Sequence, residues 1–435
     1  MKSLYDEMRS EQNLFSAWRH VKRSALNSAN NDIKGLAAEF EFRHQTYLRT
    51  IGTQLRENRF RFDEAIGVLK DKKKREAQNK APRPIAVATL RNRVVQRAIL
   101  QVLQPRRARD RRDVDTRFET MEDERLGKIN LVNKSDFGVG GLLKPYGGVG
   151  PAIKLISTAI NNGSRHYYQS DIKSFFTKIP TQTVIDFVRR ETNDERLSQI
   201  FSEGLEVHLS NKDELTSYAK LFPSGGIGVA QGSSLSAFAG NVLLYDLDHE
   251  LNSESVTAVR YIDDLLMVAK NKEDLDRAVL VASQRLKGFG FQLYEPVPRS
   301  EKAAYGVCGD TSISFLGCML QPNRCVQSAS SIQRVHSDVT STLRKSKFAI
   351  NQFISHNKRL NAEHSESATI HSLGKKLYGW KKSFSFCTDQ SPFEKLDQDV
   401  LKSVSDYKGF VRRKCANATA AQRTKIFGLP ILAEI

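Results

Sequence analysis

The stretch Arg260-Tyr261-Ile262-Asp263-Asp264-Leu265-Leu266-Met267-Val268 limits what this chain can build. Val256 to Val259 before it and Leu265 to Ala269 at its end are runs of apolar, strand-favouring residues, and the residues between them predict a β-hairpin with a polar tip. Two adjacent aspartates at such a tip repel each other, and a dry setting makes ionising both of them costly. A divalent cation relieves that cost: Mg²⁺ is hard, prefers carboxylate oxygen, and keeps coordination sites free for phosphate. A bare Asp-Asp pair is ordinarily a solvated turn. An apolar hairpin built around Tyr-x-Asp-Asp fits that reading poorly.

The chain has 435 residues, enough for a substantial core and two or three subdomains. Its 40% hydrophobic content describes a folded protein. No window approaches about eighteen uninterrupted apolar residues, and Met1 to Asp6 lacks a signal-peptide core, so a cytoplasmic protein with no membrane partner is expected. The five cysteines show no Cys-x-x-Cys spacing, which predicts reduced thiols and neither a disulfide frame nor a zinc site. Net charge is +18, unevenly spread: residues 1–113 carry +13, residues 331–435 carry +9, and the centre carries −4. Basic flanks around an acidic centre suit a polyanion gripped at both ends with metal-binding carboxylates between; a general solubility charge is the bland alternative.

Residues 1–80 predict basic helices, among them Gly35 to Leu55 and Glu64 to Leu69, with Lys70 to Arg75 as a loop. After Ala81-Pro82-Arg83-Pro84 comes a short extended run, then a helical stripe of Leu90, Val94, Val95, Ala98, Ile99, Val102 and Leu103 that Pro105 ends. Residues 106–135 are highly charged and predict a loop or a mobile insertion. Phe137-Gly138-Val139-Gly140-Gly141 and Gly147-Gly148-Val149-Gly150 precede a helix from Pro151 to Asn161; no Gly-Lys-Ser/Thr follows, so this is not a Walker A loop. His166 to Asp171 predicts a strand ending in aspartate, followed by Ile172-Lys173-Ser174-Phe175-Phe176. Gly225 to Ser236, containing Gln231-Gly232, gives a turn into a helix whose early residues are small. Lys272 to Gly288 reads as an amphipathic helix and Phe289 to Leu293 as a strand.

In this order the elements resemble the motifs of reverse transcriptases. Tyr261-Ile262-Asp263-Asp264 is similar to their catalytic hairpin, and Asp171-Ile172-x-x-Phe175-Phe176 resembles motif A, 92 residues before Asp263. Gly228-Val229-Ala230-Gln231-Gly232-Ser233-Ser234 resembles motif B, with Ala230 where proline is usual. Arg299-Ser300-Glu301-Lys302 and Ser314-Phe315-Leu316-Gly317-Cys318 resemble motifs D and E. The resemblance implies an α+β right-hand polymerase: residues 1–80 a basic helical extension, 81–330 fingers and a palm with an antiparallel sheet, 331–435 a basic helical thumb. It implies Asp171, Asp263 and Asp264, with the Ile172 carbonyl, as ligands for two Mg²⁺, Mn²⁺ being a substitute. It places Arg83, Gln231 and Gly232 on the incoming dNTP and Phe176 as a gate against the ribose 2′-hydroxyl. Tyr261, Phe315, Leu316 and Gly317 would grip the primer. Lys302 would protonate pyrophosphate or lie in a solvated loop. The glycines before Pro151 would let template backbone pass close.

The implied partners are an RNA template, the DNA product and dNTPs, and a homo-oligomer is compatible with the sequence. The chain leaves little room for a nuclease after the thumb and lacks the Val-Thr-Gly of retron enzymes. It therefore looks most like the abortive-infection and defence-associated bacterial group, which acts with a structured non-coding RNA. Retron-type synthesis of multicopy single-stranded DNA and a non-catalytic RNA-binding shell are the alternatives. An RNA-dependent RNA polymerase fits less well, given Phe176 and a hairpin without Gly-Asp-Asp.

Overall fold

The computed structural model describes residues 2–28, 30–78, 80–108, 118–297 and 302–431. Arg109 to Asp113 of the charged loop, and Arg299, Ser300 and Glu301 of the motif D stretch, lie outside these residues. In chain order the strands are β1 (Ile66–Lys70), β2 (Arg83–Val87), β3 (Arg106–Ala108), β4 (Phe118–Thr120), β5 (His166–Asp171), β6 (Val256–Tyr261), β7 (Asp264–Ala269), β8 (Ala303–Val307), β9 (Ile313–Phe315), β10 (Cys318–Gln321) and β11 (Arg324–Gln327). Helices fill most of the remainder, so the class is α+β. The chain divides into two compact units, residues 1–159 with 163–306, and residues 160–162 with 307–435. This division places β9 to β11 with the C-terminal helices, where the sequence boundary had fallen at 330.

The first unit is organised on a four-stranded sheet of order β6-β7-β5-β8, in which β7 runs antiparallel to both β6 and β5. Leu265 to Ala269 of β7 are all buried. A strand covered on both faces loses the polar alternation of a half-exposed one, which is why this run reads as unbroken apolar sequence. The helices Ser236–Glu250 and Lys272–Gly288 pack on the sheet. The core continues into Leu90–Leu103, where the expected stripe is buried and Thr89 caps the start by accepting from the Asn92 amide.

Four expectations change here. Glu64 to Leu69 was expected as helix, yet Ile66–Lys70 is strand β1, paired with β2 from Ile66↔Val87 to Lys70↔Arg83. Gly67 sits in the middle of the run, and a Cβ there would come within 2.5 Å of Leu215 Cδ1. Glycine weakens so short a helix, and the partner strand settles the choice. The N-terminal helices are likewise no appendage. Leu14, Ala17, Trp18, Val21 and Ala25 of Glu11–Leu26 fall on one buried stripe that packs on Leu90–Leu103. The helix expected over Gly35 to Leu55 is broken at Arg43 into Asn31–Phe42 and His44–Arg56. Phe289 to Leu293 forms no strand; only Leu293 bridges to Ile172.

In the second unit, β9, β10 and β11 form a sheet of order β11-β10-β9, followed by helices Ala329–His356, Glu366–Ser383, Ser391–Ala416 and Ala420–Phe427. Their core includes Val339, Leu343, Ile350, Leu373, Val411 and the fully buried Tyr407, whose hydroxyl lies 2.8 Å from Ser346 Oγ. On Glu366–Ser383, Tyr378 is exposed, whereas the Trp380 ring packs against Phe384 and Phe393.

Candidate active site

The hairpin is tighter than the sequence suggested. Strand pairing runs to Tyr261↔Asp264, leaving Ile262 and Asp263 as a two-residue tip. Ile262 has φ of +62°, a conformation that β-branched residues seldom adopt and that persists only where surroundings enforce it. Two neighbours enforce it. Arg260 Nη1 donates to the Ile262 carbonyl at 2.9 Å, and a Cβ on Gly140 would meet the Ile262 nitrogen at 2.5 Å.

The same sheet aligns the third aspartate. In the β5–β7 register Asp171 is directly opposite Asp264, so the two side chains share a face, and the Ile172 amide donates to the Asp263 carbonyl at 2.7 Å. Asp171, Asp263 and Asp264 are thereby gathered at one end of the sheet. Burial, and then the neighbouring Asp264 charge, raise the pKa of Asp263, with Arg83 and Arg260 pulling it back; burial also raises Asp264. The Lys302 ammonium bonds to Asp171, while the Asp171 amide donates to the Lys302 carbonyl at 3.0 Å. Burial, followed by the charges of Arg83, Arg75 and Lys80, lowers the Lys302 pKa. Arg83, exposed on β2, is therefore close enough to act electrostatically on both sides of the site. The donor set is all oxygen, which fits a hard divalent ion, and two of its carboxylates sit where charge is disfavoured without one. The three aspartates are aligned but not tightly convergent. Among the described residues, the group whose donor atoms all lie within 4.8 Å of one another is Cys318, Cys325 and Cys387.

Beneath the tip lies a network the sequence reading missed. Arg260 is 2% exposed; its Nε and Nη2 donate to the two Asp248 carboxylate oxygens at 2.8 and 2.5 Å, and Nη2 also reaches Asn241 Oδ1 at 3.2 Å. Asn241 Nδ2 in turn donates to the Gly140 carbonyl at 2.8 Å. A signal existed: Val256, Ala258 and Arg260 alternate onto one strand face, and an arginine in a buried row requires a buried acceptor. Gly138 serves this network too, since a Cβ there would lie 2.3 Å from Asp248 Oδ2. Those two glycines make room for the hairpin and its buried ion pair, a task within the protein itself.

The motif B segment is tied to motif A through the backbone. The Val229 amide donates to the Phe176 carbonyl at 2.7 Å and the Gly228 amide to the Ile179 carbonyl at 2.8 Å. Phe176 is half-buried, 5.4 Å from the Phe175 ring, which fills the space left by Gly240. Gln231 is half-buried, and Gly232, at φ +106°, has open space where a Cβ would stand. A cavity of about 180 Å³ lies between Ile85 to Ala88 and the Ala230, Gly232, Ser233 turn. None of the three aspartates lines it, so it is not the catalytic centre. Tyr261 is half-buried beside the tip. In the second unit, Phe315 is buried, and Leu316 and Gly317, at φ +48° and +79°, form the two-residue turn between β9 and β10.

Residues 70–320, more than half of the chain, match the family model for reverse transcriptase (RNA-dependent DNA polymerase). No curated protein matches the sequence. Solved structures similar to the chain include a partial Cas6-RT-Cas1–Cas2 complex, at 20% identity and TM-score 0.35, covering 66% of this chain and 42% of that one. Apo telomerase from Candida tropicalis is similar at 12% identity and TM-score 0.42, covering 84% and 65%. Telomerase from Candida albicans, in complex with a TWJ fragment of telomeric RNA, is similar at 11% identity and TM-score 0.38, covering 78% and 57%. The chain spans less than two thirds of the length of each of these proteins. On the family match, which runs through every strand of the aspartate-bearing sheet, the chain belongs to the reverse transcriptase (RNA-dependent DNA polymerase) family.

Proposed function

We propose that this chain is an RNA-directed DNA polymerase that adds deoxynucleotides to a 3′-hydroxyl on an RNA template, and that a dedicated structured non-coding RNA supplies that template in antiphage defence. The observation that carries the reaction is the alignment of Asp171 opposite Asp264, with Asp263 at the adjoining tip. These three carboxylates, with the Ile172 carbonyl, would hold two Mg²⁺ or Mn²⁺ ions. Bound there, the ions supply positive charge to the attacking 3′-oxygen and to the phosphate oxygens of the incoming nucleotide.

The remaining work falls to side chains of the protein. The Arg83 guanidinium, exposed at the start of β2, suits bidentate contact with the triphosphate. Lys302, whose pKa burial and neighbouring cations lower, would give a proton to departing pyrophosphate. Gln231 and Gly232 border the nucleotide, and Tyr261, Phe315, Leu316 and Gly317 guide the primer. Phe176 fills the space a 2′-hydroxyl needs, so Phe176→Ala is expected to raise ribonucleotide use relative to deoxynucleotide in single-nucleotide extension. An unchanged preference would remove the gate assignment.

The RNA partner is supported by the basic flanks, +13 over residues 1–113 and +9 over 331–435. Structured RNA is read largely through shape, phosphates and 2′-hydroxyls, and its binding weakens steeply with salt. The defence role rests on the likeness of the motif set to abortive-infection enzymes. The test is primer extension on an RNA template, together with sequencing of RNA bound to protein purified from cells. Deoxynucleotide incorporation and one discrete RNA are expected. No extension by folded protein would overturn the reaction, and a transcriptome-wide RNA population would overturn the dedicated template.

A further inference from the structure

Three of the five cysteines, unremarkable by spacing, converge in the second unit. Cys318 and Cys325 lie on β10 and β11, and Cys387 in the turn after Glu366–Ser383. In the β10–β11 register Cys318 faces Gln327 and Leu320 faces Cys325, so both cysteines and Gln327 share one face of the hairpin. The turn is held against β11 by paired bonds, Cys325 amide to Thr388 Oγ1 at 2.9 Å and Thr388 amide to the Cys325 carbonyl at 2.9 Å. All three thiols are buried, and their sulfurs lie within 4.8 Å of one another, with Cys325 and Cys387 at 3.8 Å. Zinc–thiolate bonds of about 2.3 Å in tetrahedral geometry set two sulfurs about 3.8 Å apart.

A second observation comes from Gln327. It is 2% exposed, and neither its Oε1 nor its Nε2 has a hydrogen-bond partner. Burying an amide without a partner is costly, so its place beside three thiols calls for a ligand.

We propose that Cys318, Cys325 and Cys387 bind one Zn²⁺, with the Gln327 amide oxygen as the fourth ligand. The cysteines bind as thiolates, and the protons they still carry pass to solvent. The ion ties the β10–β11 hairpin, whose first strand follows the Leu316-Gly317 turn, to the turn between two helices of the same unit. It is remote in role from the aspartates, so this inference stands independently of the polymerase reading.

The experiment uses the full chain purified without chelator. Metal analysis is expected to find about one zinc per chain, falling at least tenfold in Cys387→Ala and unchanged in Cys415→Ala, a buried thiol of the helical core. Co²⁺ added to metal-stripped protein should give a thiolate-to-cobalt charge-transfer band that Cys387→Ala lacks. Gln327→Ala, which spares every thiol, should weaken Co²⁺ binding, so a misfolded cysteine variant does not leave the outcome open. Wild-type protein that holds no zinc and gives no charge-transfer band would overturn the site. So would a Cys325–Cys387 disulfide in freshly purified protein, or equal zinc in wild type and Cys387→Ala. Those results would leave the three thiols as small apolar fillers or a redox pair.

Discussion

Alanine at both Asp263 and Asp264 is expected to lower nucleotide incorporation by at least about a hundredfold, some 2.7 kcal/mol of transition-state stabilisation, while the fold remains intact. The tip conformation does not depend on either side chain: Arg260, Gly140 and the Ile172 amide hold the tip through its backbone and the space beside it. The stability effect has a definite sign. Both carboxyls have folded pKa values raised by burial, above the unfolded value of about 3.9. Each therefore favours folding below about pH 4 and opposes it as pH rises through the folded value. At neutral pH the double variant should melt at the wild-type temperature or above it. Single-nucleotide extension and thermal unfolding check both halves. Incorporation above about a hundredth of wild type by a well-folded variant would remove these residues from the metal site.

The second large effect concerns Arg260. Arg260→Ala leaves Asp248 buried without its bidentate partner, and breaking such a pair typically costs about 3–5 kcal/mol. It also frees the Ile262 carbonyl, so the tip loses the bond that opposes its left-handed strain. Arg260→Met with Asp248→Leu separates the two roles. Replacing a buried ion pair by apolar residues of similar volume often restores stability, so urea unfolding should return most of the loss. Activity should stay low, because no methionine donates to Ile262. A full return of incorporation in the double variant would show that the arginine stabilises the unit without positioning the tip. An Arg260→Ala loss under about 1 kcal/mol would show that the pair is not paired in solution as it is here.

The motif-bearing strands were legible because their patterns are local. Val256 to Val259 and Leu265 to Ala269 bracket a carboxylate tip, His166 to Asp171 ends in aspartate, and Pro105 stops a helix whose stripe is visible in the sequence. Glu64 to Leu69 failed for the opposite reason: a six-residue run containing Gly67 has no decisive local preference, and pairing with Arg83–Val87 chose strand. Residues 1–80 read as basic helices, yet nothing local said that Glu11–Leu26 among them packs on Leu90–Leu103. What the sequence determined by itself was the carboxylate hairpin, the order of the motifs and the basic flanks, since periodicity, turn chemistry and charge are properties of neighbouring residues. The opposition of Asp171 to Asp264, the buried pairing of Arg260 with Asp248, and the meeting of Cys318, Cys325 and Cys387 were decided only in three dimensions. Each joins side chains that strand register or a closing turn brings together, and register is set by burial across the whole sheet.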